Sequence, residues 1–157
     1  MKKLLILWLV TFSSVLFAQK STTSSVKELE RECNSNIVNS CLILGIKYEN
    51  GDGLSQDKLK ASELYQKACD GNIYSSCYNL GIKYFKGEGV RQDKFKAVEL
   101  YQKSCDGKYA LGCNNLGFMY VNGEGVRLDK SKALSFYGKA CDLKSELGCE
   151  NYAKLKK

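Results

Sequence analysis

The eight cysteines of the chain form a regular ladder, which constrains the fold more than any other feature of the sequence. They fall into four pairs, and the two members of each pair stand eight positions apart. The pairs recur every 36 residues, and they are Cys33/Cys41, Cys69/Cys77, Cys105/Cys113 and Cys141/Cys149. Self-similarity at a fixed period of about 20 to 50 residues is the sequence signature of a solenoid made of stacked repeats.

The ladder divides the chain into three full units and two flanking half-units. The full units span 33–68, 69–104 and 105–140, and the half-units span 21–32 and 141–157. We place all of them in one repeat domain over residues 19–157. The terminal half-units are expected to cap the stack, because the ends of repeat arrays must cover the apolar faces of their neighbours.

Each unit is predicted to contain two helices, because apolar residues recur at helical spacing twice within it. In the second unit the predicted helices lie near 73–86 and 94–105. Gly87 and Gly89 suit the left-handed conformation that ends a helix, and Asp93 suits the N-cap of the next. The sequence therefore predicts an all-α fold, an α/α solenoid of stacked antiparallel helix pairs.

Glycines and tyrosines also recur at fixed places in the units. Gly45, Gly81 and Gly117 stand inside first helices, where glycine costs about 1 kcal/mol relative to alanine. We infer that a neighbouring helix passes too close there for a side chain. Six tyrosines at repeat positions are predicted to be core rather than ligand contacts: Tyr48, Tyr65, Tyr84, Tyr101, Tyr120 and Tyr137.

Residues 1–18 have the three parts of a secretory signal peptide. Lys2 and Lys3 give a positive start, Leu4–Val10 is apolar, and Leu16-Phe17-Ala18 ends on a small residue. The apolar run is shorter than the about 20 residues that a membrane span needs. We therefore predict cleavage near Gln19, export to the periplasm or the medium, and no stable membrane insertion after cleavage.

Each unit contains one recurring motif, which in the second unit stands as Leu80-Gly81, Tyr84, Gly87, Gly89-Val90, Asp93 and Lys96-Ala97. The same signature occurs at residues 44–61 and 116–133. The motif resembles the Sel-one-like repeat, a relative of the tetratricopeptide repeat. Together with a cysteine pair at each junction, it resembles the Helicobacter cysteine-rich protein family of exported repeat proteins. That resemblance implies a right-handed superhelix of helix pairs, each stapled by a disulfide.

The resemblance implies disulfides between cysteines eight apart: Cys33–Cys41, Cys69–Cys77, Cys105–Cys113 and Cys141–Cys149. A competing scheme joins cysteines 28 apart, such as Cys41 and Cys69, and leaves Cys33 and Cys149 without partners. Residues eight apart on one helix would be about 12 Å apart, so the short pairing needs a turn between its cysteines. Asp70-Gly71-Asn72 and Asp106-Gly107 have the composition of such turns.

Neither a metal site nor a cofactor is predicted. The cysteine spacing is far from the Cys-x2–4-Cys spacing of zinc sites, and a redox Cys-x-x-Cys motif is absent. The sequence also contains no histidine, which excludes Ser-His and Cys-His catalytic pairs.

A β-lactamase function is the alternative that the resemblance raises, because members of the cysteine-rich family carry that label. It would mean hydrolysing or binding penicillin-type β-lactams. Serine enzymes of this type combine Ser-x-x-Lys with Ser-Asp-Asn and Lys-Thr-Gly. Ser-x-x-Lys occurs at Ser24/Lys27 and Ser55/Lys58, but the other two motifs are missing. No catalytic residue is predicted, and a non-enzymatic role is favoured.

The favoured interpretation is a monomeric scaffold that binds a protein, a peptide or a cell-wall fragment, because stacked helix pairs form an extended groove. Asn79, Asn115 and Asn151 recur at one repeat position, where the first unit has Ile43. Such amides either hydrogen-bond an extended ligand or link adjacent helices. The flanking candidates are Lys47, Lys83, Tyr78 and Asn114. The two lysines either supply a charge contact to the ligand or lie on a solvated face of the helix.

Net charge gives only a weak indication of a partner. Cleavage after residue 18 removes two lysines and lowers the formal charge from +7 to +5. The basic residues are spread along the chain rather than clustered in a run, and nucleic acid is not expected as a partner.

Overall fold

The computed structural model describes residues 25–157, so the predicted signal peptide and the start of the first half-unit lie outside the described residues. Over this range the chain forms eight helices and no strand. The helices are α1 (Val26–Asn34), α2 (Val38–Asn50), α3 (Lys58–Asp70), α4 (Tyr74–Lys86), α5 (Lys94–Asp106), α6 (Ala110–Asn122), α7 (Lys130–Asp142) and α8 (Glu146–Lys156).

The helices stack in chain order as an α/α solenoid. Each helix packs against the helices before and after it, and the first helices of neighbouring units also touch, α4 with α6 and α6 with α8. The buried side chains between the layers are mostly leucine, alanine, tyrosine and cysteine. The predicted fold class is confirmed. None of the helices within 25–157 has the length and apolar character needed to cross a membrane.

The predicted helix ends are confirmed in each unit. The first helices end at Gly51, Gly87 and Gly123, whose φ values of 78°, 75° and 67° lie in the left-handed region. The second helices begin after an aspartate N-cap that accepts a hydrogen bond from the backbone N–H three residues on. These bonds are 2.9 Å long at Asp57, 3.0 Å at Asp93 and 2.9 Å at Asp129.

A second glycine in each later loop packs the loop onto the preceding unit. Gly89 and Gly125 have φ values of 72° and 67°, and a Cβ at either would overlap a backbone carbonyl of the unit before it. The carbonyls belong to Lys58 and Lys94, in the first turns of α3 and α5. The loop is therefore an inter-unit contact as well as a turn.

The helical glycines lie against tyrosine rings, as the sequence predicts a close approach there. A Cβ at Gly81 would stand 2.6 Å from Cε1 of Tyr101, on the second helix of the same unit. Gly45 and Gly117 face Tyr65 and Tyr137 in the same way, at 2.9 and 2.7 Å. The missing side chain thus lets each ring be buried between paired helices.

The four disulfides join the cysteines eight apart, and each lies where one unit meets the next. Their Cα atoms are 4.4 to 4.8 Å apart because the chain turns between them, as predicted. The left-handed residue of each turn is not the glycine: it is Asn36, Asn72, Lys108 and Lys144 in the four turns.

Gly71 and Gly107 serve packing instead of backbone conformation. Their φ values are −79° and −76°, which any residue adopts. A Cβ at Gly71 would overlap the side chain of Val38, and one at Gly107 would overlap the ring of Tyr74. The sequence therefore predicts the positions of these turns correctly. Their glycines are required for another reason, because each packs against the first residue of the preceding unit's first helix, Val38 or Tyr74.

Candidate functional site

A cavity of about 280 Å³ lies between α4 and α6, on the surface formed by α2, α4, α6 and α8, which we call the first-helix face. The second helix α5 contributes one residue to the cavity, Tyr101. The cavity is lined by Ile82, Phe85, Lys86, Tyr101, Asn115, Phe118 and Met119.

The walls of this cavity are largely apolar. Phe85 and Phe118 contact each other edge to face, with ring centroids 6.2 Å apart. Phe118 remains 43 % exposed, whereas Met119 and Tyr101 are buried beneath the rings. Lys86 is exposed and adds one positive charge to the lining. An apolar cavity with a few polar groups is the usual form of a ligand site.

Asn115 connects the cavity to the preceding unit. Burial raises the pKa of Tyr101 to about 12, and the neighbouring Asn115 side chain partly offsets that rise. Burial also raises the pKa of Tyr78, and Asn115 again acts in the opposite direction. Asn115 of α6 therefore lies close to two tyrosines of the second unit and also lines the cavity.

Asn151 and Asn114 are brought together at the end of the solenoid. The Asn151 amide Nδ2 donates a 2.8 Å hydrogen bond to Oδ1 of Asn114, whose side chain is buried. These two amides hold α8 against α6. At the same repeat position in the earlier units, Asn79 is partly exposed on α4 and Ile43 is 46 % exposed on α2.

Lys83 is buried, so the interpretation that it lies on a solvated face is wrong. Its side chain is only 3 % exposed, and its ammonium group forms ion pairs with Glu49 and with Glu88, the latter at 3.1 Å. Tyr65 donates a 2.5 Å hydrogen bond to the other oxygen of Glu49. Burial alone lowers the pKa of Lys83, but hydrogen bonds to both glutamates outweigh it and raise the pKa. Lys47, at the equivalent place on α2, is half-buried.

The ion pair between Lys83 and the half-buried Glu49 occupies the place that corresponds to the cavity one unit earlier. Glu49 and Lys83 are 34 residues apart, and the same two repeat positions one unit later hold Phe85 and Met119. Both of those apolar residues line the cavity. The sequence signal for this site is therefore the replacement of a charged pair by an apolar pair at the same inter-unit contact. The signal is visible only when residues of two neighbouring units are compared together.

The serine and lysine of the β-lactamase alternative lie away from this cavity. Ser55 is in the exposed loop before α3, and Lys58 lies 3.9 Å from Glu88. Ser24 lies outside the described residues. Over residues 25–157, no group of three or more metal-ligating side chains comes together.

Three segments of the chain match the family model of the Sel1 repeat, at residues 38–73, 75–109 and 110–145. Together the segments make up more than half of the sequence. The chain belongs to the Sel1 repeat family. No curated protein matches it.

Solved structures of Sel1 repeat proteins share the fold. A Sel1 repeat protein from Oxalobacter formigenes is 26 % identical with a TM-score of 0.75, over 82 % of this chain and 96 % of that one. Helicobacter pylori cysteine rich protein B is 28 % identical with a TM-score of 0.65, over 81 % and 96 %. The predicted resemblance to the cysteine-rich proteins is thus confirmed.

A longer relative contains the same fold as a part. A protective antigen present in uropathogenic Escherichia coli strains, displaying an SLR fold, is 28 % identical with a TM-score of 0.77. The match covers 80 % of this chain but only 27 % of that protein.

Proposed function

We propose that this Sel1 repeat protein is an exported scaffold that binds a peptide segment of a partner protein on its first-helix face. A large apolar side chain of the peptide occupies the cavity between α4 and α6. The observation that carries the proposal is the cavity itself: two aromatic rings, one of them 43 % exposed, surround a space of about 280 Å³. That volume suits one side chain, since sites for whole drug-sized molecules run from about 300 to 1,000 Å³.

The family and the lining both favour a protein ligand. Sel1 repeats generally mediate protein–protein interaction. Aromatic residues and methionine are enriched at protein interfaces, and apolar walls offer little to a polyhydroxylated cell-wall strand. Asn79 and Ile43, the exposed members of the repeated position, extend the contact along the same face toward the amino terminus.

Export is the setting in which this scaffold is stable. Four disulfides fit an oxidising compartment, either the periplasm or the medium. Residues 1–18 supply the proposed signal peptide, and we expect the exported chain to be monomeric. A β-lactam function is not favoured by any contact of Ser55 or Lys58.

Selection of peptides from a random phage-displayed library on the immobilised protein tests the proposal. We expect the selected peptides to share one large apolar residue, because it fills the cavity. Phe118→Asp places a charge in the cavity wall, so it is expected to abolish binding of these peptides.

Phe95→Asp is the matched control, because Phe95 is 73 % exposed and lies outside the cavity. This variant should bind the selected peptides like the wild type, and circular dichroism checks that both variants are folded. Peptides that bind a folded Phe118→Asp variant with unchanged affinity would show that the cavity is not the binding site.

A further inference from the structure

We propose that a second surface, the loop edge, docks the protein on an anionic phospholipid bilayer. The loop edge consists of the loops between the helices of a unit and the first turns of α3, α5 and α7. It is distinct from the first-helix face, so this proposal goes beyond the peptide-binding function and does not depend on it.

The sequence of the loop edge alternates basic and apolar residues. The second helices begin with Lys58-Leu59-Lys60, Lys94-Phe95-Lys96 and Lys130-Ser131-Lys132. The middle residues of the first two triplets point into solvent, with Leu59 57 % and Phe95 73 % exposed. Leu128, in the loop before the third triplet, is 56 % exposed. Exposed apolar residues that form a patch rimmed by polar residues mark protein or membrane interaction sites.

The loop edge is continuous from one unit to the next. The loop at Gly89 packs on the first turn of α3, and the loop at Gly125 packs on the first turn of α5. Leu59 of the first unit therefore lines an open depression together with Val90 and Arg91 of the second. Leu59 and Phe95 occupy the same repeat position in consecutive units, so they follow one another along the solenoid, and Leu128 lies in the next loop; we call these three the apolar row.

The acidic side chains of this edge have partners within the protein, although Asp57 and Asp93 are exposed to solvent. The aspartate N-caps are bound to backbone N–H groups, and the loop glutamates pair with lysines, as Glu124 does with Lys94 at 3.0 Å. Arg91, Arg127 and Lys130 are exposed beside the apolar row. A basic surface of this kind is attracted to anionic lipid by about 1 kcal/mol per basic residue.

The apolar row favours a bilayer over a soluble polyanion. A polyanion would pair with the basic residues but leave Leu59, Phe95 and Leu128 in water. At a membrane surface these side chains enter the interfacial region while lysine and arginine stay at the headgroups. Neither charge nor apolar insertion alone gives stable binding, and the loop edge supplies both.

A single tryptophan at the edge reports this docking directly. The chain's one tryptophan, Trp8, lies in the predicted signal peptide, so Phe95→Trp in the chain that begins at Gln19 leaves a single reporter on the loop edge. We expect its emission to shift to the blue on vesicles of phosphatidylglycerol and phosphatidylcholine, and to be quenched by brominated lipid chains. Vesicles of phosphatidylcholine alone should give neither effect. The emission of a Phe118→Trp variant of the same chain, with its reporter on the first-helix face, should remain unquenched.

Co-sedimentation with the same vesicles measures the contribution of the edge. Phe95→Ser copies Ser131 of the third unit. It is expected to lower partitioning of the protein onto the vesicles about tenfold, because one large apolar side chain no longer enters the membrane. Phe118→Asp should leave it unchanged, which separates this test from the peptide test. An unquenched reporter in the Phe95→Trp variant, or a Phe95→Ser variant that sediments like the wild type, would overturn the proposal. Equal binding of wild type and Phe95→Ser to heparin beads, with no vesicle binding, would assign the edge to a polyanion instead.

Discussion

At the scale of single residues, the tightest packing between paired helices is the contact of a helical glycine with a tyrosine ring. Gly81 has no Cβ, and Tyr101 occupies the space that a Cβ would need. The ring is 2 % exposed and joins the core that α4, α5 and α6 share. Neither partner tolerates enlargement, because helix backbones fix both positions.

Gly81→Ala is therefore expected to destabilise the protein, even though alanine is the better helix former. The added methyl group forces the ring or the helix to move, at a cost of about 1 to 3 kcal/mol. Urea denaturation followed by circular dichroism measures the change in the free energy of unfolding. Gly138→Ala is the control: its Cβ would meet Tyr152 only at 3.4 Å, so the helix propensity gain of about 1 kcal/mol should stabilise it. Equal effects of the two substitutions would contradict this account.

The ion pairs of Lys83 make the stability of the fold depend on pH. The ion pair with Glu88 lowers the pKa of that carboxyl, chiefly through the hydrogen bond. Glu88 thus stabilises the fold above its unfolded pKa, and this contribution is lost as pH falls through its lower folded value. Lys83 has a raised pKa, so its contribution is complete below its unfolded value and is lost as pH rises through the folded one.

Lys83→Met copies Met119 of the next unit but removes only one partner of the ion pairs, so it should lower the stability at neutral pH, because Glu49 and Glu88 are left without their cation. A second difference is expected in the pH profile: the variant loses less stability than the wild type in acid and at alkaline pH. Thermal unfolding between pH 3 and 11 tests this. Lys47→Met, at the equivalent position on α2, should keep the wild-type profile. Parallel profiles for Lys83→Met and wild type would rule out the ion-pair explanation.

At the scale of helices and turns, the ends of elements were predictable because they depend on local chemistry. Glycine at the end of a first helix and aspartate before a second helix act within a few residues, so one unit suffices to recognise them. The cavity was not predictable in this way. It depends on Phe85 meeting Met119 where the previous units have Glu49 and Lys83, and such pairs are separated by a whole unit.

The disulfides differ from one another in exposure, and this predicts the order of their reduction. Cys33, Cys41, Cys69, Cys77 and Cys113 are at most 2 % exposed, whereas both cysteines of Cys141–Cys149 are partly exposed at the end of the stack. Since a thiolate must reach the sulfur, Cys141–Cys149 should open first in dithiothreitol. Timed alkylation and peptide mass spectrometry give the order. Earlier labelling of the central Cys69–Cys77 pair would contradict the exposure argument.

At the scale of the whole molecule, stability is close to a sum over units and their interfaces, because each unit touches only its neighbours. The described part of the chain buries mainly small and medium side chains between thin layers. Each disulfide closes a short loop and contributes about 2.5 kcal/mol in the chain-entropy model. Four of them together amount to about 10 kcal/mol, which is within the 5 to 15 kcal/mol range of the total stability of a domain.

Complete reduction is therefore expected to unfold the solenoid at 37 °C, and the same argument ties the protein to an oxidising compartment. The turns between units would lose the crosslinks that hold consecutive helices together, while the loops within units would remain as they are. Far-UV circular dichroism with an excess of a phosphine reductant should show loss of helix and of the cooperative thermal transition. Reoxidation should restore both, because each cysteine has its partner eight residues away. If the reduced chain kept its helix content and melted at the wild-type temperature, packing alone would hold the repeats, and the disulfides would have to serve another purpose.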